Sequence, residues 1–276
     1  MVDQQPFIPE SDVDLLEFPL NLEYLEAKLF LWATRGYGLD KVAPNLTMGG
    51  PPPIGARRAN LDGQTSDIIN MFATQEGTPE AGSWIPKAIV GSEPNCIAGM
   101  MNMAFEERLE PPFDPYANST NFLHASYLIP YVALTGNVGM TPHLKGLLSR
   151  SLAAGLLGSV SAQDAVIREM MYEQASREVE PYGMTVAEFT NRISELRNRL
   201  GGAGMKDKGI ALPGSRKRRP GSLLAGDRSI SFDRSAREIL RIMYGKESEH
   251  VPGGFFPQGA NGRIARSLLR NAWSTA

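Results

Sequence analysis

From Ser11 to Arg35 the residues Leu15, Phe18, Leu22, Leu25, Leu29 and Trp32 recur in alternating steps of three and four. That spacing keeps one stripe of a helix apolar, and such a stripe must be buried against other helices. Leu16, Leu20, Tyr24 and Leu31 add a second apolar face, which predicts a helix inside a bundle rather than on its surface. Ser11-Asp-Val-Asp14 reads as the N-cap, with acidic residues over the positive helix end. Pro19 either kinks this helix or marks its start. Glu23 and Glu26 interrupt the pattern: they sit three apart, near Phe30, between the two apolar sectors. Two carboxylates in such a place are costly unless something pairs them.

Further helices follow from the same periodicity. One is expected from Arg58 to Glu76, carrying Ile68, Ile69 and Phe72, and a shorter one from Ile97 to Leu109. A third long helix is expected from Asn118 to Val138, kinked or unwound at Pro130, and a fourth from Leu144 to Val179. Alternating β-branched runs joined by tight turns are scarce, so the chain reads as all-α, with residues 9–180 forming an antiparallel four-helix bundle. Beyond Pro181 the character changes. Thr185-Val-Ala-Glu188 and Ser235-Ala-Arg-Glu238 are capping-box patterns opening helices that stop at Gly201-Gly202 and at Gly245. A last helix fits Arg263 to Asn271. Gly and Pro crowd residues 44–55, 201–225 and 252–262, and the long connections make residues 181–276 a helical, loop-rich arm packing on the bundle.

A chain of 276 residues, 42% hydrophobic and 21% charged, can bury its own core. The net charge of −2 provides no field for nucleic acid or anionic membranes, and neither is expected as a partner. The single cysteine, Cys96, rules out an internal disulfide framework, and three histidines leave little material for imidazole-rich sites. No run of ~18 apolar residues is present. Residues 1–6 lack the basic start and apolar run of a signal peptide. If Met1 is the true start, the protein is expected to stay inside the cell, with the sequons at Asn45 and Asn118 unmodified.

There is no phosphate-binding Walker loop, dinucleotide fingerprint, zincin helix or nucleophile elbow, and no catalytic residue is assigned. Arg216-Lys-Arg-Arg219 lies between Gly214 and Pro220 and reads as a solvated turn rather than a phosphate contact. His124, beside Phe122 and Leu123, reads as a hydrogen-bonded core histidine rather than a ligand. Bundles holding two metal ions place a Glu on each of two helices and a Glu-x-x-His on each of the others. Here Glu23 supplies the first helix, but three residues after Glu76 stands Pro79, and three before Gln163 stands Val160. Glu23, Glu26, Glu76 and Asp164 are therefore candidate metal ligands in a set too small for a complete two-metal centre. Iron or manganese is the ion they would take.

Several segments resemble the plant desiccation-related proteins with a ferritin-like domain. They are Asn21-Leu-Glu-Tyr-Leu-Glu-Ala27, Gly49-Gly-Pro-Pro-Pro-Ile-Gly55, Pro111-Pro-Phe-Asp-Pro-Tyr-Ala-Asn118, Ala154-Gly-Leu-Leu-Gly158 and Gln163-Asp-Ala-Val-Ile-Arg168. The series continues with Thr185-Val-Ala-Glu-Phe-Thr-Asn191, Glu238-Ile-Leu-Arg-Ile242, Pro252-Gly-Gly-Phe-Phe-Pro257 and Gly259-Ala-Asn-Gly-Arg-Ile-Ala-Arg266. The resemblance implies a ferritin-like bundle, accumulation during drying, and an extracellular or secretory location. It also marks two departures. Members of that family carry Gln-Glu-Val-Gly-His where this chain has Gln75-Glu-Gly-Thr-Pro79, and Glu where it has Val160. Both remove ligands.

The expected function is a non-enzymatic protective or interaction role under water deficit, with protein clients or self-association and no required cofactor. The alternative is a metal-binding redox or metal-sequestering protein built on the incomplete carboxylate set. In either case Glu23 and Glu76 are expected to face one another across two helices.

Overall fold

The computed structural model describes residues 8–44, 53–76, 94–210 and 230–256. The first helix, α1, spans Glu10–Arg35 and carries Pro19 within it. Ser11 does not cap it: Pro9 occupies the N-cap position without a side-chain hydrogen bond. The acidic residue beside it serves a different helix. Asp12 is fully buried, and its carboxylate accepts the N–H groups of Lys145 (3.0 Å) and Gly146 (2.8 Å), just ahead of the long helix Leu147–Glu173. Burial opposes charge on Asp12, but hydrogen bonds from Gly146, Ser149, Lys145 and Ser11 outweigh it and hold the carboxyl at about 2.

That cap joins residues 133 and 134 positions apart in the chain. Asp12→Ala should therefore lower stability at pH 7 by about 1–2 kcal/mol, the usual cost of a lost cap. A depressed folded-state pKa adds stability above the unfolded value of 3.8 and loses it as pH falls through about 2. The gap between wild type and variant should close over that window in urea titrations.

A short turn of helix, α2, covers Leu39–Val42, and α3 covers Gly63–Glu76. α3 begins five residues later than Arg58 because Asp62 caps it, accepting from the Thr65 N–H (2.9 Å) and hydroxyl (2.9 Å). α4 runs Pro94–Phe105 and stops where Glu106 turns to φ 58°. The third expected helix is two helices, α5 (Ser119–Tyr127) and α6 (Pro130–Met140). Asn118 caps α5 through the Asn121 N–H (2.9 Å), and Pro130, which has no N–H to give, opens α6 at its first turn. A 3-10 turn at Thr141–His143 leads to α7, Leu147–Glu173. α7 starts later and ends earlier than its apolar pattern suggests. The chain beyond it folds into a two-residue hairpin, β1 (Glu178–Val179) against β2 (Met184–Thr185), pairing Glu178 with Thr185 and Val179 with Met184.

Two helices follow, α8 (Val186–Gly201) and α9 (Ala236–Tyr244), both opened by the expected capping boxes at Thr185 and Ser235. Each ends on a left-handed glycine, Gly202 (φ 77°) and Gly245 (φ 61°), a conformation that costs a side-chain-bearing residue more. The result is an all-α bundle. α1 lies on α3 and α6, α7 lies on α6 and α5, and α8 packs on α4, α5, α7 and α9. One continuous apolar core joins Leu25, Leu29 and Phe30 of α1 to Phe72, Tyr127, Ile167 and Phe189. Among the described residues, no helix is long and apolar enough to cross a membrane. The Arg216–Arg219 run, the Arg263–Asn271 helix, Pro79 and Asn45 lie outside the described residues.

Candidate carboxylate site

Glu23 and Glu26 project from α1 into the core and are buried, and Glu76, partly exposed, ends α3. Glu23 and Glu76 lie close enough for each to shift the other's titration, as expected of residues that face one another. Burial pushes the Glu23 carboxyl well above its ordinary range, and the negative charge of Glu76 and then Glu26 adds to the push. Burial also raises Glu76, while hydrogen bonds from Gln163 and Glu23 partly oppose the rise. The directions agree on one arrangement. Both carboxyls are pushed toward the neutral acid, and Glu76 Oε1 accepts Gln163 Nε2–H at 2.5 Å. Glu26 is completely buried, and among the described residues neither of its oxygens has a hydrogen-bond partner. Burial, followed by the charges of Glu76 and Asp164, raises it strongly toward the neutral acid.

Asp164 is directed elsewhere. Its Oδ2 lies 2.7 Å from Nε of Arg168, one helical turn on, and both side chains are about 1% exposed. Arg168 belongs to a buried cationic cluster that the sequence reading missed. Its other guanidinium edge approaches Asp207 at 3.6 Å, while Arg197 Nε lies 2.5 Å from the second oxygen of Asp207. The two guanidiniums stack on Tyr127 (4.7 Å each) and on Tyr131 (4.6 and 5.3 Å). Arg234 lies over Tyr131 at 6.0 Å and is itself buried. Arg197 also donates to the carbonyls of Tyr127 (2.6 Å) and Leu128 (3.3 Å), at the break that Pro130 imposes between α5 and α6. The signal for Arg197 was present in the sequence: it falls on the apolar face of α8, with Ile193, Leu196 and Leu200.

His124 is a core residue, as expected. Its Nδ1 donates to the Thr120 carbonyl (2.8 Å), its ring packs on Phe189 (4.8 Å), and burial lowers its pKa to about 4. It is neutral and supplies no ligand to the glutamates.

The fold invites a two-metal centre, and the residues do not fit one. Val160, three residues before Gln163, is fully buried and apolar and supplies no ligand. Asp164 is paired with Arg168, and Glu76 is already engaged by the Gln163 amide. Among the described residues, no group of three or more His, Cys, Asp and Glu is placed to hold a metal ion.

Comparison with known proteins gives the arrangement its context. The chain is 47% identical over 271 residues to Ferritin-like catalase Nec2 of Nesocodon mauritianus, covering 95% of this chain and 87% of that protein. It is 46% identical over 272 residues to Desiccation-related protein PCC13-62 of Craterostigma plantagineum, again covering 95% and 87%. No solved structure matches. The family described as Ferritin-like domain matches residues 11–173, the stretch that begins on α1 and ends with the last residue of α7. This chain belongs to the ferritin-like domain family.

Proposed function

We propose that this chain is a desiccation-related ferritin-like protein that acts without catalysis, protecting or binding other proteins when water is scarce. The observation that carries this reading is the state of the carboxylate site, where burial holds Glu23, Glu26 and Glu76 toward their neutral forms and Gln163 donates to Glu76. Carboxyls held toward the neutral acid and engaged by an amide are poorly suited to bind a metal ion or to exchange protons with a substrate. The 46% identity to a protein named for desiccation supports the same direction. The test is to dry a labile enzyme with this protein and with an equal mass of an unrelated globular protein. Greater retention of enzyme activity with this protein is expected; equal retention overturns the proposal.

A second reading has a specific observation in its favour. The two unpartnered oxygens of Glu26 are the kind of group that a cation would satisfy, and one relative is named a catalase. The readings separate at Glu76→Gln. This change keeps shape and hydrogen bonding while removing a carboxylate, so the melting temperature should stay nearly unchanged or rise, with or without chelator. Elemental analysis finding about two metal ions per chain, peroxide decomposition by the native protein, and loss of both in Glu76→Gln would favour the metal reading.

A further inference from the structure

Two thioethers of α4 bear on the backbone that ends α9. A Cβ placed on Gly245 would lie 3.2 Å from Met100 Sδ, 3.3 Å from Met103 Sδ and 3.0 Å from Met103 Cε, so only hydrogen separates that backbone from sulfur. The chain then folds back over the same residues. A Cβ on Gly254 would lie 2.6 Å from the Met243 carbonyl oxygen and 3.0 Å from the Gly245 nitrogen. Phe255 N–H donates to the Met243 carbonyl (2.9 Å), Phe255 and Phe256 are buried, and the Phe256 ring meets Tyr244 edge-on at 6.0 Å. The amides at this crossing are committed, Gly245 N–H to the Ile242 carbonyl (3.0 Å) and Lys246 N–H to that of Arg241 (3.1 Å). A polar atom brought in at the sulfurs finds no donor among them. Met100 is buried, whereas Met103 is only partly so and remains open to small solutes. Arg199 Nη2–H donates to the Met103 carbonyl (2.9 Å) and holds that residue of α4 in place.

We propose that Met103 is a peroxide-sensitive latch on segment 246–256. A lone pair of its Sδ attacks one oxygen of hydrogen peroxide, the O–O bond breaks and an S–O bond forms. The proton on the transferred oxygen passes to the departing hydroxide, which leaves as water; the sulfur is oxidised and the peroxide reduced. The sulfoxide is polar, so its oxygen turns to water and the side chain gives up its contact with Gly245. Gly254 and Phe255 rest on the residues around Gly245, so the segment loses its seat and Phe255 and Phe256 come into solvent. Met71 and Met205, 60% and 66% exposed, oxidise as well, but side chains already in water lose little packing. The latch is independent of the carboxylate site and of the protective reading.

Peroxide treatment of the full chain, followed by peptide mass mapping and amide hydrogen exchange, tests the proposal. Wild type should gain one oxygen at Met103, and its amides in 246–256 should exchange about tenfold faster, the mark of a local opening. Methionine sulfoxide reductases, one for each epimer, should restore the slow rate. Met103→Leu keeps the bulk without the reactive sulfur, and its segment 246–256 should stay protected in peroxide. Met103→Gln imitates the polar sulfoxide and should exchange fast with no peroxide present, which carries the test if leucine packs poorly. Met71→Leu combined with Met205→Leu should respond as wild type does. Three results overturn the proposal: Met103 still a thioether once Met71 and Met205 are fully oxidised, sulfoxide at Met103 with exchange in 246–256 unchanged, or a wild-type response from Met103→Leu.

Discussion

Asp207→Ala should destabilise this protein by about 3–5 kcal/mol, the cost of breaking a buried ion pair from one side. Asp207 is the carboxylate shared by Arg168 and Arg197, and it also accepts the Ser194 hydroxyl at 3.0 Å. Without it, Arg168 and Arg197 face Asp164 alone, and stacking on Tyr127 and Tyr131 cannot replace a full counter-charge. A drop in melting temperature on the order of 10 °C is expected by calorimetry. Arg234→Met should behave differently. Burial lowers the Arg234 pKa and the neighbouring Arg197 adds to that, so this change removes a destabilised cation and leaves Asp207 paired with Arg168 and Arg197. It should cost far less than Asp207→Ala. Equal losses from the two variants would show that packing, not charge balance, holds the cluster.

The second large effect has the opposite sign. Glu26→Leu should stabilise the protein at pH 7 by about 1–3 kcal/mol, because it removes a buried polar group that has no hydrogen-bond partner among the described residues. The dependence on pH identifies the cause. The Glu26 pKa is raised in the folded state, so above the unfolded value of 4.5 the native protein holds a proton that the unfolded chain has released. Its contribution is therefore most favourable below 4.5 and erodes as pH rises toward the folded value. The advantage of Glu26→Leu should grow with pH across that range, measured by urea titration at a series of pH values. A flat difference would mean that the leucine gains through packing alone.

The features legible from sequence share one property: their physics is local. The capping boxes at Thr185 and Ser235, the break at Pro130 and the left-handed stops at Gly202 and Gly245 are each decided within four residues. The buried glutamates were legible because an interrupted apolar stripe shows where a charge cannot escape. Asp12 was misread because its partners lie 133 and 134 residues further along the chain, and a first-turn acid looks the same whether it serves its own helix or another. The start of α3 was misplaced because Asp62 caps it, while the apolar pattern alone does not show where the chain ceases to be helical upstream. Arg168, Arg197 and Arg234 were missed because charged residues are usually solvated. Only the tyrosines and the aspartate that converge on them make burial tolerable, and those come from three separate segments.

The position of Asp207 in the chain also bears on how the protein is made. A ribosome delivers Arg168 and Tyr131 well before residue 207, so the nascent bundle carries a guanidinium whose second counter-ion has not yet been translated. Ser194 and Arg197 emerge next, and the aspartate follows ten residues after Arg197. A message ending between those points would yield a chain with its charges gathered and its anion missing. Such a chain should be a substrate for quality control rather than a shorter version of the protein.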